Sequence, residues 1–154
     1  MRNAALGGHI NVIKMLKENG ADDYRGAMHK AIVHGHVEVF KLCRKWGVND
    51  FDSAMIFAAE MKCLKIVKLC KKWGATKFGE TMCYAAEHGH IEIVKLCRKW
   101  GANNFNEVVC WAAAGGHIKL VKLFRKWGAD NSSEVARWAK QNRRKEILEY
   151  CKTW

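Results

Sequence analysis

The sequence predicts an all-α fold, a solenoid of stacked helix–turn–helix hairpins, on three observations. The string "KLCRKWGANNF", residues 95 to 105, recurs as "KLCKKWGATKF", "KLCRKWGVNDF" and "KLFRKWGADNS", with a degenerate first copy "KMLKENGADDY". Its glycines fall at Gly20, Gly47, Gly74, Gly101 and Gly128, a period of 27 without slippage. A second ladder, Gly8-His9, Gly35-His36, Gly89-His90 and Gly116-His117, runs in register, with Lys62-Cys63 in the remaining slot. Self-similarity at a period of about 20–50 residues is the signature of stacked supersecondary units. The chain also lacks proline, which suits helices joined by glycine and asparagine turns.

Taken in order, residues 1–20 hold the tail of a first helix and one second helix, a partial repeat whose N-terminal cap looks truncated. Residues 21–47, 48–74, 75–101 and 102–128 are full repeats, and 129–154 form a C-terminal capping repeat, all within a single domain 1–154. In 75–101, Met82, Tyr84, Ala85 and Ala86 predict a first helix of about nine residues that stops at Gly89 in the left-handed region. Ile91, Ile93, Val94, Leu96 and Cys97 then form a stripe at helical spacing, ending at Gly101. Lys95, Arg98 and Lys99 stand near that end, where cations complement the helix dipole. The connection Ala102-Asn103-Asn104-Phe105 offers side chains that close turns and cap the next helix. In the last repeat Lys140, Arg143, Arg144 and Lys145 supply the polar outer face that a terminal repeat needs.

Composition bounds the function. The 154 residues are 49% hydrophobic, enough for a core, with no run approaching the roughly 18 apolar residues of a membrane span. The start "MRNAALGGHINVI" lacks the apolar region of a signal peptide, so an intracellular site, cytoplasm or nucleus, is expected. The seven cysteines include no C-x-x-C pair. Cys43, Cys70, Cys97 and Cys151 share one slot, and equivalent slots of stacked helices lie about 8–10 Å apart, beyond the roughly 7 Å a disulfide spans. Reduced thiols fit the same compartment. Cys83 and Cys110 read as small buried hydrophobes. His9, His36, His90 and His117 spread one per repeat, whereas zinc gathers about four ligands; hydrogen bonds that stabilise the turns are expected instead, with no metal or other cofactor. No nucleophile–base pair, phosphate loop or carboxylate pair stands out, so no enzyme activity and no small-molecule substrate are expected.

The stretch "AAEHGHIEIVKLCRKWGANNF" resembles the second half of an ankyrin repeat, AAxxGHxxIVKLLLxxGAD, as do "AIVHGHVEVFKLCRKWGVND" and "AAAGGHIKLVKLFRKWGAD". The resemblance covers essentially the whole chain. Its particular form, with cysteine for the second leucine and tryptophan before the glycine, resembles the short ankyrin-like repeats of giant DNA viruses of the Marseillevirus kind. Ankyrin repeats have about 33 residues and a β-turn finger. Here the six missing residues fall between helix pairs, which implies shortened or missing β-hairpin fingers. The family's TPLH opening is replaced by other residues, among which only His29 keeps the histidine.

The resemblance implies a protein-interaction scaffold for a host or viral protein, whose inner, concave ridge carries the residues that vary between repeats. These are Asp52, Glu60, Met61, Glu87, His88, Asn104 and Asn106, with Asp50 and Lys77, and Arg25, Val33 and His34 at the front. It also places Lys30, Phe57, Tyr84, Trp111 and Trp138 in a framework slot, where core packing is expected.

An alternative is nucleic-acid or polyanion binding through the cations that the same template puts on the convex side. Fourteen of the 27 cations recur at fixed slots, among them Lys68, Lys71, Lys72, Lys95, Arg98, Lys99, Lys122, Arg125 and Lys126. Duplication and helix-end preference also produce such a pattern. Trp46, Trp73, Trp100, Trp127 and Trp154 could stack bases, or fold over the next repeat and cover surface the lost finger leaves bare; packing is the preferred reading.

Overall fold

Twelve helices and no strand make up the computed structural model, which describes all 154 residues. The first helices of the hairpins are α1 (Arg2–Leu6), α3 (Tyr24–Val33), α5 (Phe51–Glu60), α7 (Phe78–Glu87), α9 (Phe105–Gly115) and α11 (Ser132–Gln141). The second helices are α2 (Ile10–Glu18), α4 (Val37–Lys45), α6 (Leu64–Lys72), α8 (Ile91–Lys99), α10 (Ile118–Lys126) and α12 (Lys145–Cys151). No helix is long and apolar enough to cross a membrane. The chain divides into two compact units, Met1–Thr76 and Lys77–Trp154. In the first, α3 packs on α1 and α4, and α5 on α6. In the second, α9 packs on α7, α10 and α11, with α8 against α7 and α12 against α11.

The inner hairpins build their cores on a common pattern. Second helices bury a branched residue, its neighbour, and the residue three further on: Val39, Phe40 and Cys43; Ile66, Val67 and Cys70; Ile93, Val94 and Cys97; Leu120, Val121 and Phe124, all at most 1% exposed. First helices bury alanine pairs, Ala58-Ala59, Ala85-Ala86 and Ala112-Ala113, each 0% exposed, whose small size lets backbones approach. Thr81 is the one buried polar residue, and its hydroxyl donates to Lys77 O at 2.7 Å. The expected capping holds for aspartate: Asp23 accepts from Gly26 N at 3.0 Å and Asp50 from Ser53 N at 3.2 Å. Asn104 and Asn131 occupy the same slot without capping their own helices.

The glycine–histidine ladder does more than close turns. His36 Nε2 donates to Leu6 O and His117 Nε2 to Glu87 O, both at 2.8 Å and both across 30 residues of chain. Cys63 Sγ, in the same slot, donates to Ile32 O at 3.3 Å, and Arg144 Nε to Ala114 O at 2.9 Å. Each of these four slots therefore ties its turn to the end of the first helix one repeat earlier. The glycine half of the motif serves the same tie. Gly89 has φ +74, and a Cβ there would stand 2.6 Å from the His117 ring; Gly8 relates to His36 in the same way at 2.7 Å. Lys62 and Arg143 hold the glycine slot with φ of 59° and 57°, a conformation that costs an L-residue about 1–2 kcal/mol.

The tryptophans pack, but backward rather than over the next repeat. Four of them lean, tilted, against the aromatic residue that opens the first helix of their own hairpin: Trp46 on Tyr24 and Trp73 on Phe51, both at 5.2 Å, Trp100 on Phe78 at 5.5 Å and Trp127 on Phe105 at 5.7 Å. A cation of the preceding repeat covers the ring. Arg44 lies 4.4 Å from the Trp73 centroid, Arg98 4.3 Å from Trp127, Lys17 5.2 Å from Trp46 and Arg125 5.5 Å from Trp154. Such contacts are each worth about 0.5–1 kcal/mol where solvent reaches them. The indoles and one row of the basic ladder thus form a repeating seam.

Candidate functional site

Two surfaces follow from the way each hairpin buries its stripes. The second helices are basic. α6 and α10 each carry four cations and no anion, and α4 and α8 each three cations and one glutamate. Their combined +12 equals the formal net charge of the chain, while α5, α7 and α9 hold five carboxylates and no cation. Lys68, Lys71, Lys72, Lys95, Lys99, Lys122 and Lys126 are exposed. Arg98 is committed to Trp127, and Arg125 donates from Nη1 to Tyr150 Oη at 3.2 Å. Lys95, Arg98 and Lys99 of α8, with Leu123 and Trp127 of α10, line an open cleft of about 490 Å³.

The first helices present a different face. The slot expected in the core is not buried: Phe57, Tyr84 and Trp111 are half-exposed and Trp138 is 38% exposed. The buried stripe of α5 runs through Ala54, Met55, Ala58 and Ala59. At 100° per residue, slot 57 falls well round the helix from the middle of that stripe. His29 stacks on Phe57 at 4.0 Å with rings 16° apart, and Tyr84 stands 5.7 Å from Trp111. Lys30, in the same slot of α3, is half-buried.

The seven ridge residues divide by what they touch. Asp52 Oδ1 accepts from Thr76 N at 2.6 Å. Asn106 accepts from Asp130 N at 3.0 Å and donates to Asp130 Oδ1 at 2.8 Å, stitching its helix to the following connector. Asn104 Nδ2 donates to Glu107 Oε2 at 2.9 Å, while its Oδ1 is buried without a partner. Glu87 contributes its backbone carbonyl to His117. His88 is exposed, ends α7, and holds its ring against Tyr84 O through Nδ1 at 3.0 Å. Glu60 and Met61 are half-buried at the end of α5. Asp52, Asn104 and Asn106 are thereby engaged within the scaffold, and the surface that remains is more aromatic than the spacing of polar residues foretold.

Arg25 and Asp50 of the expected ridge stand at a cleft that the sequence did not foretell. Between α3 and α5 lies an open cleft of about 330 Å³, lined by Arg25, Met28, His29, Ile32, Val48, Asp50, Ser53, Ala54 and Phe57. The residue after each stop glycine is a buried alanine at Ala75, Ala102 and Ala129, 4%, 8% and 4% exposed. Val48 takes that slot here, and its two additional methyl groups line the cleft. That single departure in an otherwise regular ladder was the legible signal.

All seven cysteines are free. Burial pushes the Cys43 thiol up to about 11 and those of Cys70, Cys83 and Cys97 to about 12. Such thiols pack as hydrophobes and are poor nucleophiles. Nowhere do three or more His, Cys, Asp or Glu side chains gather closely enough to hold a metal ion. No protein-family model matches this chain, and no curated protein matches it.

Proposed function

We propose that the chain is a non-catalytic protein-interaction scaffold, an ankyrin-like solenoid of 27-residue repeats that presents its first-helix face to a folded or extended protein partner. The observation that carries this reading is the pair of half-exposed aromatics Tyr84 and Trp111, 5.7 Å apart, with exposed Trp138 in the same slot of the next helix, set among residues that differ from repeat to repeat. Aromatic side chains left partly exposed on rigid helices are the usual anchors of protein interfaces. The resemblance to giant-virus repeats extends the proposal to a viral protein acting inside an infected cell on a host or viral protein. The test is affinity capture from nuclease-treated eukaryotic lysate, with wild type beside Tyr84→Ala/Trp111→Ala and Lys95→Gln/Lys99→Gln variants. A discrete protein retained by wild type and the lysine variant, and lost from the aromatic variant, supports the scaffold. Capture that ignores the aromatic pair overturns it.

A second reading rests on the +12 concentrated in the second helices and on the cleft beside Lys95, Arg98 and Lys99. Under it the basic face binds nucleic acid or another polyanion, with affinity falling steeply as salt rises. Anisotropy of labelled single-stranded DNA measures this directly: wild type should bind at low salt, and Lys95→Gln/Lys99→Gln/Lys122→Gln should weaken binding about tenfold or more. Binding unchanged by the three substitutions sinks this reading.

A further inference from the structure

We infer that the cleft between α3 and α5 is a docking site for a peptide segment of a partner protein, one that offers a single large apolar side chain next to a carboxylate. The inference rests on the scaffold reading and names the partner's chemistry.

The volume sets the size of the anchor. About 330 Å³ is at the small end of ligand pockets, which run from roughly 300 to 1,000 Å³, and gives room for one aromatic or leucine side chain. Its walls are apolar: Met28 and Ile32 from α3, Ala54 and Phe57 from α5, and Val48 from the connector. Met28 and Ile32 are themselves buried, 4% and 2% exposed, so the floor does not collapse outward. The His29 ring, flat on Phe57, extends that apolar wall toward solvent.

The rim sets the charge. Arg25 is exposed and takes part in none of the ion pairs of the chain. Asp50, the other charged residue at the cleft, is already engaged, its Oδ1 accepting from Ser53 N. The rim therefore offers one guanidinium outside any ion pair, beside a single carboxylate whose Oδ1 is already held by a backbone N–H. An arginine in that state complements a carboxylate, with which it forms paired hydrogen bonds. A cleft open along its length, on a helix face, suits an extended segment passing across it rather than an enclosed small molecule.

The experiment is an amide NMR titration of the full chain with three short Gly/Ser peptides, carrying one Phe-Glu, one Phe-Lys or one Ser-Glu pair. One anchor gives a dissociation constant of about millimolar. Phe-Glu is expected to shift amides of residues 25–32 and 48–57, to bind about threefold tighter than Phe-Lys, and to leave Ser-Glu without effect. In Arg25→Glu the order of Phe-Glu and Phe-Lys reverses, an exchange that loss of folding cannot produce. Ser53→Trp, which plugs the rim, abolishes both. A silent cleft with shifts at Tyr84, His88 or Trp111 overturns this inference and leaves the scaffold reading standing. Shifts at the cleft with no reversal in Arg25→Glu overturn the carboxylate assignment. No shift anywhere at millimolar peptide overturns the inference and counts against the scaffold as well.

Discussion

α3 and α5 in the first unit, and α9 and α11 in the second, occupy the same slots three repeats apart, and their seams differ. Between α9 and α11 the chain is stitched. Asn106 exchanges two hydrogen bonds with Asp130, and Asn131 Nδ2 reaches Asn106 O at 2.8 Å and Cys110 Sγ at 3.4 Å. Ala129 is buried beneath the seam. Between α3 and α5 the slot of Asn106 is Arg25, that of Asn131 is Asp50, that of Cys110 is His29 and that of Ala129 is Val48. The arginine cannot accept a backbone N–H, the aspartate caps its own helix, and the valine is too large to bury as its alanine counterparts do. Four substitutions in one layer distinguish the stitched seam from the one that holds the cleft. Behind both seams α4, α6 and α10 keep the same three buried slots, while α12 buries Ile147 alone. The residues that vary in this layer therefore either stitch neighbouring hairpins, as Asn106 does, or leave the seam open, as Arg25 does.

The contrast can be broken most severely with thiols as reporters. His29→Cys would place an exposed cysteine in the slot of Cys110, which is 6% exposed and whose thiol burial raises. A maleimide at neutral pH, read by peptide mapping, should label His29→Cys at the rate of a free thiol. Cys110, buried and with its thiol raised by that burial, should label far more slowly. Equal rates would mean that the two seams are equally open. The same shifts predict an alkaline limit on stability. Thiols raised from 9.0 in the folded chain bind protons that the unfolded chain loses, so their contribution is intact below pH 9 and fades as pH rises from 9 towards about 12. Urea unfolding at pH 8 and pH 10.5 checks the sign.

Next in size is the stitching itself. Asn106→Ala/Asn131→Ala removes several hydrogen bonds that net about 0.5–1.5 kcal/mol each, and should cost about 2–3 kcal/mol in urea unfolding. Arg25→Ala, the same slot in the open seam, should cost under about 0.5 kcal/mol. Transplanting the closed seam is the converse test. Arg25→Asn/Val48→Ala should stabilise the chain by about 1 kcal/mol and erase the shifts produced by the Phe-Glu peptide. Stabilisation with the shifts retained would mean that Val48 does not hold the cleft open.

The smallest effect compares two turns. Gly89 adopts its left-handed conformation without strain, whereas Lys62 carries a side chain in the equivalent place. Lys62→Gly should therefore stabilise the chain by about 0.5–1 kcal/mol, read as a rise in the urea midpoint. A destabilisation would show that the lysine stem contributes packing worth more than the backbone strain.

The all-helical class and the stop glycines of the hairpins could be read from the chain, because each rests on local rules. An apolar stripe at helical spacing, a glycine for a left-handed stop and an aspartate before a helix act within a few residues, and a 27-residue period repeats them five times. What a slot faces depends on residues one repeat away, and no local rule contains that. His36 and His117 looked like turn residues until Leu6 and Glu87 were brought beneath them. The aromatic slot of Phe57, Tyr84 and Trp111 looked like core until the alanine pairs had taken the buried stripe. Tyr24, Phe51, Phe78 and Phe105 repeat as strictly as the tryptophans, yet their pairing came from folding the hairpin closed. Local chemistry set where each helix begins and stops; packing between hairpins assigned every conserved-looking slot its partner, and so left Arg25, His29 and Phe57 at an open cleft.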